Sequence, residues 1–347
     1  MIMKEWVFIV LSVLITTILL VGFVGHENHF VGIYFYPWYS INPVRHWNES
    51  SSTTVVDKPI WRFYDSRNTS IINQQLRLIR EAGIDFIVFS WWGANSFEDN
   101  ATRIIVEYLR NYNLKFAIMI EPYLGSDHPE YYNYTFWNNT LNYIKTNYID
   151  PYNDIYVYLD GKPLVLAFNP IGMNYNPSND FPQYTIRITG NDIDNAKYQD
   201  WDYWPDYIDV SNVELKIRID GFVSIMPRYD DTFLRSSGIC IDQNYTERLY
   251  VREWEWILMR RDQISIVMIT SWNEYHERTM IEPHIDYTAN VDPYYIYNIT
   301  KNYIHRLKQD NNILPSYIYG FCNYVLAWAL AFFIFGAVSK FILRTIR

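Results

Sequence analysis

Cysteine is scarce, with two in 347 residues. Neither sits in a Cys-x-x-Cys pair or at metal-ligand spacing from a histidine, which excludes a disulfide framework and a structural zinc site. Cys240, between Ile239 and Ile241, reads as a small core residue. A basic stripe is also missing. The formal net charge is −9 and no cluster of Lys and Arg is interleaved with aromatics, so nucleic acid is excluded as a partner. No internal repeat and no low-complexity linker is present, which excludes a repeat array. His276, Glu277, Glu282, His284 and Asp286 lie close in sequence, but their spacing matches no standard pattern such as His-Glu-x-x-His. No metal and no cofactor is expected.

Charge of either sign is absent from two stretches. Residues 6–24 form an uncharged apolar run that is long enough to span a bilayer and longer than a secretory core. Its end is a poor cleavage site. Residues 321–339 form a second such run, followed by Lys340, Arg344 and Arg347, cations that fit a cytoplasmic tail. The expected organisation is an N-terminal anchor or uncleaved signal at 1–25 and an outward-facing domain at 26–315. A transmembrane helix with a short basic tail follows at 316–347. Both termini would then be cytoplasmic and the membrane a partner. All seven Asn-x-Ser/Thr triplets, at Asn48, Asn68, Asn100, Asn133, Asn138, Asn244 and Asn298, lie between the two runs.

Aromatics are abundant, at 18% of the chain with 32 Tyr and 13 Trp. That is more than a core needs, and it suits a wall that stacks on sugar rings. Apolar strands alternate with amphipathic helices. Strand patterns cover residues 30–36, 85–91, 115–120, 185–189, 221–226 and 264–270. Residues 155–168 carry an Asp160-Gly161 turn and read as a hairpin whose second half is a barrel strand. Residues 237–242 are a short strand or a loop. Helices are expected over 71–82, 101–112, 136–148, 247–261 and 293–309. Near-continuous apolar strands imply a parallel sheet buried on both faces, and seven or eight such units close a (β/α)8 TIM barrel.

In such a barrel the site lies at the carboxyl ends of the strands. Those ends read Tyr36-Pro-Trp38-Tyr39, Ser90-Trp91-Trp92-Gly93, Glu121-Pro122-Tyr123, Pro227-Arg228-Tyr229-Asp230-Asp231 and Trp272-Asn273-Glu274. Turn chemistry asks for Asn, Asp, Gly and Pro, but not for repeated Trp and Tyr. The richest exit is Ser271-Trp-Asn-Glu-Tyr-His-Glu-Arg-Thr-Met-Ile-Glu-Pro283, which gathers Glu274, Glu277, Glu282 and His276 after the last strand. Two acids there serve one bond as acid and base if their environments split their pKa values. Trp38, Trp91 and Trp92 are candidates for subsite walls or for core packing. Tyr36 and Tyr123 are candidates to bond sugar hydroxyls or to play a structural part. Tyr229, Asp230, Trp272 and Asn273 join them as candidates from the strand exits. Glu121, at a strand end, is expected to face the barrel mouth. His276 is placed to bond a sugar or to orient Glu277, and Glu282 to touch the substrate or to support the loop from behind.

Taken in order, the Tyr-Phe-Tyr-Pro-Trp-Tyr, Phe-Ser-Trp-Trp-Gly, Ile-Glu-Pro-Tyr, Gly-Lys-Pro-Leu-Val, Pro-Arg-Tyr-Asp-Asp-Thr and Trp-Asn-Glu-Tyr-His-Glu-Arg-Thr-Met-Ile-Glu-Pro segments resemble glycoside hydrolase family 99 and its wider family-99-like group. The likeness runs over roughly residues 30–310. The last segment is the most specific, and it departs from the family pattern in having Tyr275 for Trp and Arg278 for Gly. The resemblance implies a (β/α)8 barrel and an endo-acting, retaining α-mannosidase or α-1,2-mannanase with a carbohydrate partner. It also implies that Glu274 takes the proton of the sugar 2-hydroxyl, which attacks the anomeric carbon to give a 1,2-anhydro sugar. Glu277 would protonate the leaving oxygen and then activate water. Arg278 is expected to add bulk and charge beside the acid and so to alter substrate choice. Two other readings stand beside this one: a non-catalytic glycan-binding surface protein, and a transglycosylase of surface-polysaccharide assembly.

Overall fold

A computed structural model describes residues 29–47, 55–122, 133–169, 175–190, 198–205 and 213–309. The two uncharged runs, Cys322, Asn48 and Tyr123 lie outside the described residues. Among the described residues, no helix is long and apolar enough to cross a membrane.

Eight parallel strands form the frame: β1 (Phe30–Phe35), β2 (Phe86–Trp91), β3 (Lys115–Ile120), β4 (Lys162–Asn169), β5 (Thr185–Gly190), β6 (Trp201–Asp202), β7 (Phe222–Ile225) and β8 (Ile266–Ile269). Their order is β6-β5-β4-β3-β2-β1-β8-β7, so sequence neighbours are spatial neighbours and β1 pairs with β8. This is a nearly closed (β/α)8 barrel. Among the described residues the ladder breaks between β6 and β7, where side chains close the seam. Ser224 Oγ and Thr270 Oγ1 donate to the Tyr203 carbonyl at 2.8 and 2.6 Å, and the Trp201 ring stacks on Phe222 at 4.3 Å.

Five α-helices are described: α1 (Thr69–Glu81), α2 (Phe97–Leu109), α3 (Tyr134–Ile144), α4 (Leu249–Met259) and α5 (Tyr295–Gln309). α2 begins four residues earlier than its apolar periodicity suggests. Ser96 caps it by accepting from the Asp99 amide, and Glu98 and Asp99 suit the positive end of the helix dipole. Asn68 and Asn133 cap α1 and α3 in the same way. The Asp160-Gly161 turn joins Tyr158–Leu159 to the start of β4, as the hairpin reading expects. Two strand assignments differ. Residues 237–242 hold no barrel strand, because Cys240–Ile241 pairs antiparallel with Tyr229–Asp230 in the loop after β7. Cys240 is therefore exposed rather than a core residue. The eighth barrel strand is β6, too short to carry a periodic signal.

Strand alternation sorts the core into two bodies. Val31, Ile33, Phe35, Ile87, Phe89, Trp91, Val267 and Ile269 point outward, beneath helical residues such as Ile72, Leu76, Ile105, Trp254 and Ile304. Tyr34, Tyr36, Val88, Met119, Leu166, Phe222 and Met268 fill the barrel interior. Gly32 belongs to the inner set. A Cβ placed on it would lie 2.4–2.8 Å from three atoms of the Phe86 ring. Gly32→Ala is therefore expected to cost about 1–3 kcal/mol by overpacking and to lower Tm by several degrees. An unchanged thermal melt would show that the Phe86 ring moves aside freely.

Candidate active site

The inward register carries past the strand ends. On β3 it runs Ala117, Met119, Glu121 and delivers the Glu121 carboxyl to the barrel mouth, as expected from sequence. Ser90, inward on β2, donates to Glu121 Oε1 at 2.6 Å, and the Trp92 indole donates to Ser90 Oγ at 2.9 Å. Burial pushes the Glu121 carboxyl up to about 8; the Ser90 bond opposes this, while Glu274 and Glu277 add to it.

Tyr36 directly follows β1, and its hydroxyl bonds that of Tyr203 just beyond β6. Trp38 follows. Its ring packs on Tyr36 at 4.5 Å, stacks on His46 at 4.3 Å and meets His276 edge-on at 5.6 Å, with Trp92 at 6.0 Å. Tyr36, Trp38, His46, Trp92 and His276 thus form one aromatic wall. His46 was not foreseen, because nothing in Val44-Arg45-His46-Trp47 marks it. Burial holds its imidazole down to about 3, with His276 and Arg45 acting the same way, so it is neutral at ordinary pH.

The loop after β8 carries the two central acids. Glu274 is buried and directed by His276, whose backbone amide and Nδ1 reach Oε1 at 2.8 and 3.1 Å. Glu277 has a different setting. Its side chain is 13% exposed, with the Tyr229 hydroxyl 3.4 Å and Arg235 Nη2 3.6 Å from Oε1. Burial pushes its pKa up to about 8, Glu274 adds to this, Arg235 opposes it and Asp231 adds again. Glu274 and Glu277 therefore act on each other, and their surroundings are unequal.

Several residues with candidate roles lie elsewhere. Trp91 points outward, its indole bonded to Asp99 at 2.7 Å, and Trp272 lies fully buried in the same outer core. Strand parity explains Trp91, since Ser90 and Trp92 take the inward positions. Asn273 is fully buried and clamps the β1 backbone, with Oδ1 accepting from the Tyr36 amide at 2.8 Å and Nδ2 donating to the Tyr36 carbonyl at 2.9 Å. Glu282 sits behind the loop and accepts from Tyr64, Tyr275 and Gln75 at 2.9, 2.7 and 2.6 Å. These contacts give Asn273 and Glu282 supporting positions.

Arg278 does not crowd the acids. It is buried, and its guanidinium bonds Asp57 at 2.7 and 3.0 Å, Asp230 at 2.7 Å and Asp286 at 3.2 Å. Arg228, equally buried, bonds Asp57 at 2.9 Å and Asp286 at 2.5 Å. Asp230 is therefore committed to this network. The network ties the loops after β1, β7 and β8 together directly behind Glu277. Asp57, His284 and Asp286 lie close enough to hold a cation between them. Both carboxylates already face two guanidiniums, which supply the positive charge a metal would bring. At Arg278 the backbone is left-handed, with φ of 54°. Glycine adopts that conformation freely, which accounts for the glycine of the family pattern there.

No family model matches the chain. It is 24% identical over 271 residues to the glycoprotein endo-alpha-1,2-mannosidase of Mus musculus, covering 63% of this chain and 54% of that one. It is 24% identical over 323 residues to the Rattus norvegicus protein of the same name, covering 74% and 68%. The chain thus spans about half the length of the mouse relative. In fold it is similar to the GH99 endo-alpha-mannosidase from Bacteroides thetaiotaomicron, with a TM-score of 0.61 and 16% identity over 82% of this chain and 98% of that one. The chain is thus similar in fold to a GH99 enzyme and in sequence, at 24% identity, to two endo-alpha-1,2-mannosidases.

Proposed function

We propose that this chain is a retaining glycoside hydrolase that cuts within α-mannosidic glycans, with Glu274 and Glu277 as its acid/base pair. One observation carries the reading: two glutamates share the barrel mouth in unequal environments. Glu274 is directed by the backbone amide and the ring Nδ1 of His276, while burial holds Glu277 protonated up to about pH 8. Glu274 takes the proton of the 2-hydroxyl. That oxygen bonds to the anomeric carbon as the glycosidic bond breaks, and its electron pair leaves with the oxygen that Glu277 protonates. Glu277, now a carboxylate, takes a proton from water. The water oxygen attacks the anomeric carbon, the three-membered ring opens and Glu274 returns its proton to the 2-oxygen. The wall of Trp38, His46 and Trp92 supplies the flat apolar surface a sugar face needs. The relatives' names agree with an α-mannosidic substrate.

The uncharged runs at 6–24 and 321–339 and the basic residues after the second support an anchored, outward-facing enzyme. Asn68, Asn100, Asn133, Asn244 and Asn298 are exposed, which suits glycosylation of an outer domain.

The test is to incubate the full chain with α-mannan and α-linked manno-oligosaccharides, reading product size by mass and the first-formed anomer by NMR. Internal cleavage with retained configuration is expected. Binding without cleavage would replace this reading with the glycan-binding one, and an inverted product would remove the anhydro-sugar route. Lengthened products with an added acceptor sugar would point to transglycosylation.

A further inference from the structure

Glu277 must change charge twice in each proposed turnover, and the groups around it differ in how they respond. Glu274 faces it from its own loop, Tyr203 and Trp204 from beyond β6, and Glu121 from the end of β3. Most of these are anionic, neutral or unable to follow a change of charge. The loop after β7 contributes Tyr229, Asp231 and Arg235. Arg235 Nη1 bonds the Asp231 carboxylate and the Tyr229 oxygen, the latter at 3.1 Å, while Nη2 lies 3.6 Å from Glu277 Oε1. Asp231 is fixed in turn by the Ile239 amide at 2.7 Å. The single Tyr229 hydroxyl proton has two acceptors, Asp231 Oδ2 at 3.1 Å and Glu277 Oε1 at 3.4 Å.

We propose that Arg235 is a positioning residue for Glu277: braced by Asp231 and Tyr229, its guanidinium balances the negative charge Glu277 gains whenever it gives up its proton. When Glu277 is a carboxylic acid, the Tyr229 hydroxyl serves Asp231. When Glu277 ionises, that hydroxyl turns to Oε1, and Arg235 holds both carboxylates. Without Arg235, Glu277 keeps its proton to higher pH, which favours the acid step and impairs the water-activating step. This inference rests on the hydrolase reading for its role in turnover, but not for its effect on Glu277 itself. Arg235 is half-exposed, at 50%, so its replacement leaves the core intact.

The experiment compares the full chain with Arg235→Gln, Arg235→Lys and the distant surface control Arg306→Gln. Two readouts are taken: the pH profile of kcat/KM on an α-linked oligosaccharide, and a carboxyl-carbon NMR titration of Glu277. An opposite charge within a few ångströms lowers a carboxyl pKa by about 1–3 units, the lower end applying to a half-exposed cation. Arg235→Gln should move the alkaline limb and the NMR midpoint upward by about one pH unit. Arg235→Lys should restore most of that shift, and Arg306→Gln should move neither. An Arg235→Gln variant that loses rate with the limb and the midpoint unmoved would overturn the proposal. The NMR midpoint is read without turnover, so an inactive wild type would sink the hydrolase reading while leaving this inference tested.

Discussion

Glu277→Gln should lose about 10²–10⁴-fold in kcat/KM on an α-linked oligosaccharide, the range typical of one positioned acid, yet lose little in kcat/KM on a mannosyl substrate whose leaving group needs no proton, such as fluoride. Sugar alkoxides are poor leaving groups, and Glu277, held protonated up to about pH 8 by burial and by Glu274, supplies the missing proton. Fluoride departs unaided, so the first step, the one kcat/KM reports, no longer depends on Glu277, while the later water-activating step still does. Glu274→Gln should behave differently. It removes the group that takes the 2-hydroxyl proton, a step common to both substrates, so both rates should fall together. The split between the two variants is the informative result. Equal losses of Glu277→Gln on both substrates would remove the acid role. Normal activity of Glu274→Gln on the oligosaccharide would assign the base to another residue, with Glu121 next at the mouth.

Much of this frame was legible in the sequence. Near-continuous apolar runs marked seven of the eight barrel strands, since a strand buried on both faces must be apolar throughout. The exception, β6, is two residues long, and the seam it makes with β7 relies on the Ser224 and Thr270 hydroxyls donating to the Tyr203 carbonyl rather than on a ladder. The placement of Glu121 followed from its strand end, and the same alternation places Trp91 outward, a point that reading strand exits as whole clusters overlooks. The role of Asn273 was hidden because it serves the backbone of β1, which is 237 residues away in sequence. Arg278 misled for the same reason. A cation beside a catalytic loop suggests a substrate contact, whereas its partner Asp57 lies 221 residues away.

That hidden network gives the largest expected loss of stability. Asp57→Ala should destabilise the fold by about 3–5 kcal/mol, because it strips a carboxylate from two guanidiniums that stay buried. For a domain of this size Tm would fall by about 10 °C. Asp57 accepts from Arg228, twice from Arg278, and from the Tyr287 amide, so one side chain holds three loops. Asp230 and Asp286 remain, but they already answer the same two cations. The sharper test is the double variant Asp57→Ala/Arg278→Gly. It removes one charge of each sign, and glycine relieves the left-handed backbone at 278, worth about 1 kcal/mol. The double variant should therefore melt above Asp57→Ala alone, a coupling that independent sites would not show. Activity should not return with the melt, since loss of Arg278 removes the guanidinium that ties the segment carrying Glu277 to Asp57, Asp230 and Asp286. A double variant that melts at the sum of the two single losses would mean that Asp57 and Arg278 contribute separately, and that the loops behind Glu277 are not one unit.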